Sequence, residues 1–141
     1  MFILLSILLV TLLLYHYRQL SIKDLVDLNS INSSNSLKVV ILKRDTFLGE
    51  MLNHKEIINT KDSIKLINDL ETYKLRRTIV NKGPDDVTQY FISVRDSGNE
   101  IIRLVVKGNN YVYLRDKRDV FDTYRILKNT YNTDLLETLL N

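Results

Sequence analysis

The sequence predicts an α+β chain: an N-terminal transmembrane helix, then an antiparallel sheet of four to five meander strands with two helices packed on one face. Three observations carry this reading. An apolar run, MFILLSILLVTLLLYHY, opens the chain and meets its first charge at Arg18. The second half alternates apolar and polar residues with period two, broken by Gly, Asn and Asp turns. Two stretches, residues 63–72 and 135–140, have helical spacing instead.

Residues 1–20 read as a membrane anchor. From Phe2 to Leu14 only Ser6 and Thr11 interrupt the apolar residues, and hydroxyls of that kind bond back to a helix carbonyl. As one helix, residues 2–20 rise about 28 Å at 1.5 Å per residue, just enough for a hydrocarbon core of about 30 Å. Tyr15, His16 and Tyr17 beside Arg18 suit a headgroup boundary. A buried core helix would show a polar face, and none appears. A cleaved signal peptide would show a basic n-region and a small-residue cleavage site, and neither appears. Residues 21–36 then link anchor to domain. Ile22, Leu25 and Leu28 allow two further helical turns, and NSINSSNS at 29–36 is Asn or Ser at seven of eight positions, as tethers are.

The domain occupies residues 37–141. Residues 37–43 are rich in β-branched side chains and read as a strand, with a short one at 54–59. Asp62 is placed to cap a helix over 63–72, with Ile64, Ile67 and Leu70 on one face, Leu66 and Tyr73 widening it, and Lys65, Asp69 and Glu71 in water. A strand at 75–80 stops at the turn NKGPDD. Residues 87–95 place Tyr90, Ile92 and Val94 on one face, and residues 100–107 do the same with Ile102, Leu104 and Val106. A three-residue loop, Asp96-Ser97-Gly98, pairs Ile92 with Ile102 and Tyr90 with Leu104. A two-residue loop would oppose Ile92 and Arg103 and put the apolar faces out of step. Strands at 111–115 and 120–126 follow. Asn132 or Thr133 then caps a helix with Leu135, Leu136, Leu139 and Leu140 as its stripe.

Composition excludes several chemistries. The absence of Cys rules out disulfides, thiolate metal sites, a Cys nucleophile and a lipidated Cys. Only His16 and His54 are present, with no Walker loop, no G-x-G-x-x-G and no G-x-S-x-G elbow. Asp85 and Asp86 follow Gly83-Pro84 and read as a turn rather than a catalytic pair. The expectation is a non-enzymatic protein with no catalytic residue, cofactor or metal. Net charge is +3, all of it in residues 37–141 because Asp24 and Asp27 offset Arg18 and Lys23. That excess favours anionic partners but falls short of a dedicated nucleic-acid binder.

The candidate ligand or partner surface is Arg76, Arg77, Arg103, Lys107, Arg115, Lys117 and Arg118 with Tyr111 and Tyr113. Arg76 and Arg77 are neighbours in a strand and point to opposite faces, Arg77 with Leu75. A blander account competes at each position. Edge-strand arginines lay their stems along a sheet rim, Asp116, Asp119 and Asp122 interleave with the basic residues, and tyrosines such as Tyr90 and Tyr124 pack under a helix.

The order of elements resembles small domains of unknown function found behind a signal or anchor segment in low-GC Gram-positive bacteria. The resemblance rests on the I-x-x-I-x-x-L helix (Ile64, Ile67, Leu70), the Pro84 turn, Y-x-I-x-V with its Gly turn (Tyr90 to Gly98) and G-x-x-Y-V-Y (Gly108 to Tyr113), over about residues 37–128. It departs near Lys117-Arg118, where such domains carry more aromatic and Gly residues, and it supplies no active-site residues. It implies an exported domain. The charge rule points the other way, since Arg18 and Lys23 flank the anchor on its C-terminal side. The expectation is a single-pass cell-membrane protein attached through residues 2–20, with an extracytoplasmic domain that binds a protein or an anionic envelope polymer. The alternative is a cytoplasmic-facing module that binds nucleic acid through a basic, Tyr-rich sheet face.

Overall fold

The computed structural model describes residues 2–26, 37–45, 51–57, 60–78, 87–115, 120–127 and 131–141. The expected Asn/Ser tether, the Pro84 turn, and Lys117 and Arg118 lie outside these residues. The chain runs α1 (Phe2–Tyr17), α2 (Ile22–Leu25), β1 (Leu37–Arg44), β2 (Met51–Ile57), α3 (Thr60–Thr72), β3 (Lys74–Arg77), β4 (Gln89–Asp96), β5 (Asn99–Lys107), β6 (Tyr111–Arg115), β7 (Phe121–Leu127) and α4 (Asp134–Leu140).

The architecture is α+β, but the expected four-to-five-stranded sheet is corrected to seven strands, all paired antiparallel in the order β2-β1-β4-β5-β6-β7-β3. Only β4 to β7 form a meander. β1 joins it on one side, aligning Ile41 with Ile92, and β3 joins on the other, aligning Leu75 with Ile126. α3 connects one edge of the sheet to the other. The strands at 37–43, 54–59 and 75–80 are each legible in local spacing, but their joining the meander is not, because the β1–β4 and β3–β7 partners are distant in sequence.

One face of the sheet is covered and holds the core. Val39 and Ile41 of β1, Ile92 and Val94 of β4, Ile102 and Leu104 of β5, Leu114 of β6 and Tyr124 of β7 are all buried there. Leu66, Ile67 and Leu70 of α3 and Leu136, Leu139 and Leu140 of α4 belong to the same cluster, as do Ile22, Leu25 and Val26. Residues 22–26 therefore pack on the domain. α2 is a single turn, set by Ser21, whose backbone N–H and hydroxyl donate to the Asp24 carboxylate at 2.7 and 2.8 Å. Those bonds hold the Asp24 carboxyl below its ordinary range.

The transmembrane helix is also corrected. α1 has 16 residues, a rise of about 24 Å, and among the described residues no helix is long and apolar enough to cross a membrane. The reason lies in the next residues. Leu20 leaves the helix to form an antiparallel bridge with Leu75, its N–H donating at 2.8 Å and its carbonyl accepting at 2.7 Å. Pairing with β3 ends the helix before residue 20. α1 itself stands clear of the domain core, with Ile3, Leu4 and Leu14 each about two-thirds exposed or more.

The β4–β5 turn differs from the expected loop. Asp96 pairs with Asn99, so the loop is the two residues Ser97 and Gly98, at φ 49° and 85°. Positive φ at both central positions matches the twist of a tight hairpin. The apolar faces still coincide, because the register shifts between Val94 and Arg95. Ile101 is the extra residue: Arg95 faces Glu100, yet Val94 faces Ile102 and Ile92 faces Leu104. A bulge thus restores the alternation that the short turn alone would break.

Candidate functional site

The face of the sheet opposite α3 and α4 carries no helix among the described residues, and the pairing registers lay its side chains out in rows. One row crosses six strands as His54, Leu42, Phe91, Val105, Tyr113 and Thr123. A second crosses as Arg44, Gln89, Lys107, Tyr111, Arg125 and Arg76. Successive members of a row stand about 5 Å apart. Between strands, Ser93 faces Arg103 and Arg115 faces Phe121.

The first row gives this face an apolar floor. A one-sided antiparallel sheet ordinarily turns polar residues outward, yet Val40, Leu42, Phe91, Val105, Tyr113 and Phe121 line a groove of about 590 Å³ here. Tyr113 and Phe121 stack, their centroids 5.2 Å apart and planes 14° off parallel. Arg95, Arg103 and Lys107 line the same groove together with Glu100. The Glu100 carboxylate accepts from Ser93 Oγ at 2.9 Å and from Arg103 Nη2 at 2.9 Å, and Arg115 Nη1 stands 3.6 Å away. One carboxylate thus holds two guanidiniums in place, and Arg115 also lies 6.0 Å from the Phe121 centroid. Arg95, Arg103 and Lys107, with Glu100 among them and flat ring faces beside them, form a surface suited to an anionic ligand with its own flat or apolar faces. The volume falls within the range of ordinary ligand sites.

Of the residues singled out in the sequence, Arg76, Arg103, Lys107, Arg115, Tyr111 and Tyr113 share this open face. Arg77 does not. It lies opposite Tyr124 on the covered face and pairs with Asp122. Tyr90 and Tyr124 are buried on that face as core residues. Sequence reasoning missed Phe91, Val105, Arg95 and Arg125. Phe91 and Val105 carried a signal, since both are apolar at positions that alternate with the core-facing residues of their strands. His54 is exposed on β2, and among the described residues no group of three or more His, Asp and Glu side chains is placed to hold a metal.

The covered face holds a second polar cluster. Glu137 of α4 receives hydrogen bonds from Lys43 Nζ at 2.6 Å and from the Tyr90 hydroxyl. These bonds, the Lys43 bond foremost, hold the Glu137 carboxyl below its ordinary range, whereas burial pushes the Tyr90 hydroxyl up. Nearby, the Tyr131 ring packs 4.8 Å from that of Tyr73, and its hydroxyl faces Asp69. Burial raises both the Asp69 carboxyl and the Tyr131 hydroxyl. Asp69, expected in water, is therefore drawn against the domain. The cluster lies where α3 and α4 meet the sheet and stays partly solvated at Lys43 and Glu137.

No known protein family, curated protein sequence or solved structure matches the chain.

Proposed function

We propose that the chain is a non-enzymatic, membrane-attached binding module on the outer side of the membrane. Its open sheet face takes an anionic polymer of sugar or polyol units. The observation that carries the reading is the groove itself: an apolar, ring-bearing floor rimmed by Arg95, Arg103 and Lys107, with Arg115 beside the Phe121 ring. Ring faces receive the apolar faces of sugars, and the rim receives carboxylate or phosphate. Attachment is supported by α1, whose apolar side chains are exposed all round. Exposed apolar surface on that scale calls for lipid or a partner. The outer location follows the element order of residues 37–128, read from the sequence as that of an exported domain.

The test is titration of the full chain in detergent micelles with polygalacturonate, with poly(glycerol phosphate) and with neutral dextran. Saturable binding to an anionic polymer, weakened by salt and reduced at least about tenfold in Arg103→Gln/Lys107→Gln and in Phe91→Ala, is the expected result. A tenfold change corresponds to about 1.4 kcal/mol. Equal binding of dextran, or preferential binding of single-stranded nucleic acid, contradicts the ligand class. Protease added to intact cells should remove the domain, and full protection contradicts the outer location.

A further inference from the structure

We propose that the root of α1 carries a recognition site for the phosphate of an anionic lipid headgroup, formed by Arg76 of β3 and Arg125 of β7. The inference rests on the reading that α1 sits in lipid.

Position is the first argument. The Leu20–Leu75 bridge fixes β3 as the strand nearest the foot of the helix. There the Tyr17 ring lies 5.4 Å from the Arg76 guanidinium, and the Tyr15 ring lies 5.8 Å from that of Arg77. Tyrosines at the end of an apolar helix favour the polar boundary of a bilayer. The arginines they touch are thereby held at headgroup level.

Charge is the second. Arg76 and Arg125 are direct cross-strand partners, and like charges in that relation destabilise a sheet. On the covered face Arg77 has Asp122 as its counter-ion. Among the described residues no carboxylate stands within ion-pair distance of Arg76 or Arg125. Arg76 Nε is buried without a hydrogen-bond partner. Arg18 and Lys74, both exposed, flank the site along the chain.

Shape is the third. A cleft of about 270 Å³ opens here, lined by Arg76, Arg77, Thr78 and Arg125 with the apolar Ile126 and Leu127. Two guanidiniums forking onto one group match the geometry of a phosphate. A free phosphate shares that chemistry, but the apolar helix places this cleft beside lipid.

The experiment is co-sedimentation of the full chain with two vesicle types: phosphatidylcholine alone, and phosphatidylcholine with about one-third phosphatidylglycerol. The parent should bind both, the anionic vesicles more tightly by about fivefold for each arginine engaged. Arg76→Gln/Arg125→Gln should lose that preference while binding neutral vesicles as before. Arg76→Lys, which keeps the charge but loses the planar fork, should retain only part of it, whereas Lys55→Gln at the opposite edge of the sheet should retain all of it. Millimolar-range inorganic phosphate should leave the preference in place. A parent with no preference, a Lys55→Gln variant that loses as much as the double variant, or abolition by free phosphate overturns the lipid site. Failure to bind neutral vesicles, with the arginine-dependent preference intact, overturns the lipid reading of α1 and leaves the phosphate site standing.

Discussion

Glu137 and Asp69 sit on the same covered face and respond to pH in opposite directions. Glu137 is held low by the Lys43 hydrogen bond first and the Tyr90 hydroxyl second. A carboxyl whose pKa is depressed by folding stabilises the fold above its unfolded value, and that contribution fades as pH falls through the folded value. Glu137→Gln should therefore lower stability by about 1 kcal/mol at neutral pH, a modest figure because the pair is partly solvated. Thermal melts should show the difference shrinking as the medium is acidified below the ordinary carboxylate range. Asp69 is held high by burial. Folding raises its pKa, so ionisation weakens the fold, and stability from this group falls as pH rises past its unfolded value. Asp69→Asn should raise the melting temperature at neutral pH and leave it unchanged in acid. Neither role was legible in the sequence. Asp69 has the helical phase of a solvent-facing residue, and its burial is a tertiary effect that exceeds the opposing hydrogen bond from Tyr131, 62 positions along the chain.

At the scale of elements, the β4–β5 hairpin shows how two local features combine. Gly98 at φ +85° has nothing within 4 Å of an added Cβ, so Gly98→Ala tests backbone conformation alone. It should cost about 1 kcal/mol in chemical denaturation. Ser97→Asn, which suits positive φ better, should stabilise by a few tenths of a kcal/mol. The apolar alternation of both strands was plain in the sequence, and it correctly put their buried faces together. The pairing was not plain, because one bulge residue at Ile101 compensates a turn one residue shorter than the alternation demands. α1 gives a parallel case. Its apolar character is written in the sequence, but its end is set by Leu20 pairing with Leu75, a contact that hydropathy does not contain.

At the scale of the molecule, the sheet is what turns scattered residues into a surface. Seven strands in the order β2-β1-β4-β5-β6-β7-β3 place Lys107, Tyr111, Arg125 and Arg76 in one row, though they come from four strands. Basic and aromatic residue types were visible in the sequence, and most of them do share a face. Their grouping follows from the β3–β7 and β1–β4 pairings, which join segments more than 40 residues apart. The groove rim at Lys107 continues along its row to Arg76 at the foot of α1. Groove and helix root are thus two parts of one face. The most direct measurement is side-chain NMR of the full chain held in phosphatidylcholine nanodiscs, titrated with poly(glycerol phosphate). Shifts confined to Leu42, Phe91, Val105 and Tyr113, with Leu104 and Tyr124 of the covered face unmoved, are the predicted result. An unchanged open face, or shifts centred on the covered one, would contradict the account.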